Sequence, residues 1–294
     1  MASFWIKENQ NYERPCMITC ALSGVVANRQ QCPAIPYTPE EYAAEAKRAY
    51  EAGAAAVHIH ARKPDGSPSY DVEDYKNIYD AVTAASPILI NFSTGAINVT
   101  TKQKTDPITT IKPSIGALNM GSMNYAKYHP RQKDFIFEFV FPNPFSEIRA
   151  IVEAMNSVGT KPEMECFDVG HIGNSYPLID MGLLKPPYQY SLILGVLGGI
   201  PPTVQNLLKM VEQLPPQSDW EVIGISHDQW RLVAGAISLG GNIRVGLEDN
   251  FYVEGKTMAS SNGDLVAKAA RMVRDQGREV ATVEQCRERL CLVN

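Results

Sequence analysis

Residues 54–62 read AAAVHIHAR. The stretch opens with small and β-branched residues, the composition of a buried strand. It then sets His58 and His60 two residues apart, and side chains two apart on a strand share a face. Two imidazoles side by side at the exit of a buried strand suit a borderline-soft divalent metal, zinc above all. They equally suit a pair of hydrogen-bonded core histidines. The flanking sequence has to decide between the two.

Upstream, CMITCALS (16–23) fits a first buried strand and runs into a loop rich in polar residues and proline. Thr38 reads as a helix N-cap, with Pro39 at the first helical position and Glu41 completing a capping box. That helix stops at Gly53. Downstream, Asp71 opens a second helix, ILINFS (88–93) is a third strand, and GALNM (116–120) a fourth after a helix around 106–112. A helix over 146–159, a strand EMECFD (163–168) and a helix near 172–183 follow. Then come YSLILGV (190–196), a helix from Pro201 to Leu214, WEVIGIS (220–226), a helix over 228–240 and NIRVGLED (242–249). Two helices, LVAKAARMVRDQG and VEQCRERL, close the chain. FIFEFV (135–140) fits either a strand or part of a long irregular connection.

Strand and helix thus alternate about eight times, which implies parallel strands joined by crossover helices. That count favours a (β/α)8 TIM barrel over an open sheet, with residues 1–294 as a single domain and the chemistry at the C-terminal ends of the strands.

Of the 294 residues, 45% are apolar and 20% charged, ample for a core and unlike a disordered chain. A net charge of −5 argues against nucleic acid as a partner. No apolar run approaches the roughly 20 residues that span a bilayer. The first ten residues, MASFWIKENQ, lack the regions of a signal peptide. The six cysteines are scattered without a Cys-x-x-Cys pair and read as reduced thiols of a cytoplasmic protein.

The strand ends are unusually polar. Glu248 and Asp249 follow the eighth strand; a carboxylate there could complete a His-His-Glu site with positions left open for substrate, or be a surface acid. Asp249 is then a candidate general base beside Arg244. A buried arginine needs a carboxylate partner, from a ligand or from the protein. Glu163 and Glu165 share a face of the fifth strand; Glu163, near its start, reads as the more structural of the two. In NFSTGA (91–96), hydroxyls and a glycine turn could hold a carboxylate, although such turns are common. GVLGGIP (195–201) could seat a phosphate, weakly. His129 reads as a surface residue, while His171 and His227 suit structural roles at least as well as catalytic ones.

With these residues in view, the chain resembles the β-keto acid cleavage enzymes over roughly Met17 to Leu292. The likeness rests on ITCALSG, AGAAAVHIHAR with DGSPS, NFSTGA, ALNMGSMN, PEMECFD, GVLGGIP, GISHDQW, GGNIRVGLEDN and ASSNGDLV. It implies a (β/α)8 barrel holding zinc through His58, His60 and Glu248. It also implies a reaction of a β-keto acid with acetyl-CoA to give acetoacetate and a new acyl-CoA. By the same likeness Asp249 is the base, Arg244 orients it, and Glu165 is a further acid of the site. Ser93, Thr94, Gly95 and Asn119 would then lie at the substrate, and a homo-oligomer, a tetramer, is expected.

Departures bear on specificity. The family member that takes an amino substrate carries an acidic residue where this chain has Val26, so a substrate without the 5-amino group is expected. Ala117, Ala96 and the pair Ser226-His227 also replace the common residues. The rival reading is a metal-dependent hydrolase of the amidohydrolase type. It requires the His pair on the first strand and further histidines after the fifth and sixth, which this order does not supply. A barrel that only binds is disfavoured by the acids and histidines at costly positions.

Overall fold

The structure is a computed structural model and describes residues 12–293. The reading of MASFWIKENQ as lacking a leader therefore lies outside the described residues. Twelve strands occur among the described residues: β1 (Ile18–Ala21), β2 (Ala56–Ile59), β3 (Leu89–Phe92), β4 (Ile115–Asn119), β5 (Met123–His129), β6 (Asp134–Phe141), β7 (Lys161–Cys166), β8 (Tyr188–Leu194), β9 (Ser218–Gly224), β10 (Asn242–Val245), β11 (Tyr252–Glu254) and β12 (Thr257–Met258). Eight of them close a parallel barrel in the order β1-β10-β9-β8-β7-β4-β3-β2. The expected (β/α)8 fold is the observed one.

Helices cross outside between the strands: α1 (Pro39–Ala52), α2 (Val72–Ala85), α3 (Thr101–Ile111), α4 (Phe145–Val158), α5 (Val169–Gly173), α6 (Ser175–Asp180), α7 (Val204–Glu212), α8 (Gln229–Ser238), α9 (Asn262–Asp275) and α10 (Val283–Arg289). The Thr38–Glu41 capping box forms as expected, and Gly53 ends α1 in the left-handed conformation. A second capping box, Thr100 with Gln103, starts α3 earlier than the apolar periodicity suggested. Asp71 precedes α2, but its side chain makes no cap bond. Where one helix was expected near 172–183 the chain makes two short ones, α5 capped by Asp168 and α6 directly after it. Helix α7 begins at Val204, capped by Thr203, and not at Pro201.

FIFEFV belongs to β6, which pairs antiparallel with β5 in a separate two-stranded hairpin after β4. The hairpin begins at the C-terminal end of the barrel, so it rises from the face where the strands end.

The helices bury apolar stripes on the outside of the sheet, and Val57, Ile59, Phe92, Leu118, Leu192 and Val222 are wholly enclosed there. The inside is different. Barrel interiors are ordinarily filled by Val, Ile and Leu. Here Thr19, Asn91, Glu163, Ser191 and Glu221 point inward from five strands and bond to one another. Asn91 and Ser191 both donate to Glu163, Ser191 also reaches Glu221 at 3.0 Å, and Thr19 donates to Glu221 at 2.6 Å. Beneath them Asp219 accepts from Asn242 at 2.7 Å and meets Arg289 of α10 at 2.8 Å. Each buried acid has a partner, which burial of a carboxylate demands.

Candidate active site

Above this polar ring, at the strand ends, the singled-out residues converge. His58 is the third residue of β2, and His60 directly follows that strand. Both are buried, with ring centroids 5.2 Å apart. Glu248 arrives from the loop after β10: its Oε1 lies 3.4 Å from His60 Nε2 and its Oε2 3.8 Å from His58 Nε2. Donor atoms of the three residues all fall within 4.8 Å of one another. Among the described residues neither nitrogen of His58, nor Oε2 of Glu248, has a hydrogen-bond partner. Buried polar atoms are rarely left so.

The local sequence makes room for this approach. Gly24, after β1, has φ of +55°, and a Cβ there would stand 2.6 Å from Glu248 Cγ. Arg62 fixes that loop, donating to the carbonyls of Ser23, Gly24, Ala27 and Gly66. Tyr42 of α1 donates to the His60 carbonyl at 2.6 Å.

Arg244, in β10, is the hub of the charges. It reaches Asp249 through Nε at 3.0 Å and Nη2 at 3.2 Å, Glu248 at 2.9 Å and Glu165 at 3.2 Å. Its partner is thus the protein's own acids, three of them. Burial opposes ionisation of Glu248, but Arg244 and then the two histidines overcome it and hold its carboxyl well below the usual range. Burial, reinforced by Arg244, keeps His58 neutral. Neutral imidazole and ionised carboxylate are the protonation states that ligate a metal. Burial pushes Glu165 up to about 8 and Asp249 up to about 6, in both cases against the pull of Arg244. The donor set, its charge and its orphaned atoms fit a divalent cation.

Ser93 and Asn119 lie beside the pair. A Cβ on Gly95 would stand 3.3 Å from Ser93 Oγ, 3.4 Å from Asn119 Nδ2 and 3.8 Å from His60 Cε1. Its absence leaves a notch lined by two polar groups and a ring. The Asn119 amide nitrogen has no partner among the described residues, and Ser93 Oγ accepts from the Gly95 amide at 3.1 Å. Thr94 is placed differently, since its hydroxyl donates to the Ala117 carbonyl at 2.5 Å. Val26 is 60% exposed on the loop past Gly24.

The other residues singled out in the sequence contact groups of the protein itself. The amides of Gly195 and Gly199 are taken by the carbonyls of Ile200 and Val196, and Gly198 packs on the Asn124 carbonyl. Helix α7 itself begins only at Val204, three residues past GVLGGIP. His171 accepts from the Phe167 amide, and His227 stacks on Tyr252 at 4.5 Å. The Ser226 amide donates to the Asp249 carbonyl at 2.7 Å. Glu163 is fully enclosed in the polar ring, and its carboxylate also falls within 4.8 Å of donor atoms of His58 and Glu165. The His pair sits on the second barrel strand, and β8 carries no histidine, so the hydrolase pattern is not met.

Two features went unread in the sequence. Glu221 is an acid inside the otherwise apolar WEVIGIS, a signal in plain view. Tyr125 of β5 lies over the site: burial, followed by the charges of Glu248, Asp249 and Glu165, pushes its phenol up to about 12.

The family model for the beta-keto acid cleavage enzymes matches residues 15–292. The chain belongs to the β-keto acid cleavage enzyme family. This family member is 34% identical over 278 residues to a 3-keto-5-aminohexanoate cleavage enzyme of Fusobacterium nucleatum, covering 94% of this chain and 97% of that one. It is 31% identical to a 3,5-dioxohexanoate:acetyl-CoA acetone transferase of Paraburkholderia graminis, covering 95% and 96%. Among solved structures it superposes on apo ObcA with a TM-score of 0.75 at 20% identity, over 88% of this chain and 66% of the ObcA chain, a likeness of fold. No helix among the described residues is long and apolar enough to cross a membrane.

Proposed function

We propose that this enzyme exchanges acyl groups between a β-keto acid and acetyl-CoA, yielding acetoacetate and a new acyl-CoA. The observation that carries the reading is the meeting of His58, His60 and Glu248 beside an Arg244-clamped Asp249. His58, His60 and Glu248 would hold zinc. Bound there, zinc supplies a Lewis acid for the keto oxygen and for the negative charge that deprotonation creates.

The side chains divide the remaining work. Asp249 takes a proton from C2 of the keto acid, and Arg244 keeps that carboxylate aimed. The C2 carbanion attacks the acetyl carbonyl and expels the CoA thiolate. The thiolate adds to the former keto carbon, the C2–C3 bond breaks, and acetoacetate leaves once its C2 regains the proton from Asp249. Ser93 Oγ and Asn119 Nδ2, lining the notch at Gly95, hold the substrate carboxylate. Glu165 anchors the third nitrogen of Arg244.

Val26 carries no charge to pair with an ammonium, so the substrate lacks a cationic amino group. An assay of acetoacetate formation across β-keto acids with neutral, acidic and amino side chains, with metal analysis of the same sample, tests the reading. Turnover of a neutral or acidic keto acid with about one zinc per chain is expected. Absence of exchange across the panel would sink it.

A further inference from the structure

Between the segments that follow β1 and β10 stands a side chain from outside the barrel, that of Asn262, the first residue of α9. It is wholly enclosed. The run ASSNGDLV (259–266) fixes it there. Ser261 caps the helix by accepting from the Asp264 amide, and Ser260 donates to the Asp264 carboxylate through its amide and its hydroxyl, both at 2.7 Å. The Ala259 amide reaches the Phe251 carbonyl at 2.7 Å. Gly263 lets α9 lie close against α1, since a Cβ there would stand 3.1 Å from Arg48 Cβ.

Both polar atoms of this side chain are engaged. Oδ1 accepts from the Leu247 amide at 3.0 Å, and Nδ2 donates to the Leu22 carbonyl at 3.1 Å and to Glu45 Oε2 at 3.0 Å. Glu45, from α1, also takes the Asn262 amide at 2.7 Å and pairs with Arg48. The Leu247 amide needs such an acceptor because β10 leaves its ladder with β1 at Gly246. That glycine has φ of +141°, and a Cβ on it would stand 2.2 Å from the Ala21 carbonyl oxygen. The next two amides find backbone partners, Glu248 the Ala21 carbonyl at 3.2 Å and Asp249 the Gly246 carbonyl at 3.1 Å. On the other side, the Leu22 amide donates to the His58 carbonyl at 3.1 Å. Asn262 thus links the residue before Glu248 to the residue whose amide holds the backbone of His58.

We propose that Asn262 is a positioning residue for the metal ligand Glu248 and the base Asp249. It touches neither substrate nor cation and acts through the Leu247 amide. This assignment rests on the reading of His58, His60 and Glu248 as the ligands of a cation, with Asp249 as base. Without Asn262 a buried amide loses its acceptor, and the loop after β10 shifts to find another. A displacement of about 1 Å in a reacting group costs on the order of 100-fold in rate.

The test compares the full-length wild type with Asn262→Ala, with Asn262→Asp joined to Glu45→Gln, and with Ser175→Ala. The joined change keeps an acceptor for the Leu247 amide and gives the new carboxylate a donor at position 45. Ser175→Ala removes a buried hydroxyl of α6 that bonds Tyr190 and Ile172, and so reports lost stability by itself. Cobalt(II), titrated into chelator-treated protein and followed by its visible absorption, is expected to bind Asn262→Ala about 10–100-fold more weakly, with shifted bands. Exchange of the Leu247 amide hydrogen is expected to quicken about tenfold, and kcat for acetoacetate formation to fall about 100-fold. The joined variant recovers most of each loss, and Ser175→Ala leaves all three readings unchanged.

Unaltered cobalt bands, amide exchange and kcat in Asn262→Ala overturn the assignment. So does an equal loss in Ser175→Ala, or a joined variant no better than Asn262→Ala, since either makes the effect one of stability. If Asn262→Ala does not fold, the joined variant is read against Asn262→Asp by itself, whose carboxylate faces that of Glu45. Recovery on adding Glu45→Gln then supports the assignment, and no recovery overturns it. Wild type without cobalt uptake removes the metal reading, and wild type without acetoacetate formation removes the catalytic one; in each case the other two readings decide for or against Asn262.

Discussion

Arg244 grips Asp249 with two nitrogens, Nε to Oδ2 at 3.0 Å and Nη2 to Oδ1 at 3.2 Å, while Nη1 holds Glu165 at 3.2 Å. A planar fork with several donors does this, and an ammonium cannot. Arg244→Lys is expected to keep the fold and lower kcat about 100-fold through misplacement of Asp249. Arg244→Ala leaves three carboxylates without their cation and costs about 3–5 kcal/mol in urea unfolding. A Lys variant with full kcat would show that the clamp is not needed.

Gly24 is bound to the metal hypothesis by geometry. With φ of +55° and Glu248 Cγ 2.6 Å from where a Cβ would sit, Gly24→Ala must push the glutamate aside. Zinc affinity, measured by competition with a chromophoric chelator, is expected to fall about 10–100-fold. The backbone strain itself costs about 1–2 kcal/mol.

Glu221 makes a pH-dependent prediction. Burial, followed by the charge of Glu163 on β7, raises its carboxyl well above 4.5, against Thr19 of β1 and Arg244 of β10. A carboxyl raised in the folded state contributes stability that is complete below its unfolded value near 4.5 and is lost as pH rises toward the folded value. Glu221→Gln removes that loss. The variant should therefore gain on the parent in urea midpoint between pH 5 and pH 8, and a gap independent of pH would contradict it.

Val26 lies exposed on the loop that Arg62 pins, so its replacement should leave stability within about 0.5 kcal/mol. Val26→Glu is expected to shift kcat/KM toward keto acids bearing a cationic amino group. An unchanged ratio between amino and neutral substrates would free this position from a role in specificity.

The barrel was legible because eight buried strands, parted by capped amphipathic helices, admit few other closures. The cluster of His58, His60 and Glu248 was legible in part. His58 and His60 are neighbours on one strand, whereas Glu248 joins them only because β10 pairs with β1 and β1 with β2. Arg244 looked like a residue awaiting a partner, and Glu165, 79 positions earlier, becomes one only when the sheet closes. The hairpin escaped because FIFEFV alternates within itself while exposing apolar side chains to solvent, such as Phe135 and Val140. The polar ring escaped because inward-facing Thr19 and Glu221 sit between apolar residues that face the helices.

The central claim is that the acetyl group of acetyl-CoA becomes part of acetoacetate while the acyl part of the keto acid leaves on CoA. Zinc-loaded enzyme given acetyl-CoA labelled with 13C at the carbonyl, and an unlabelled β-keto acid, can be followed by 13C NMR. The account predicts the label at C3 of acetoacetate and none in the new acyl-CoA; label retained in acetyl-CoA, or released as acetate, would contradict it.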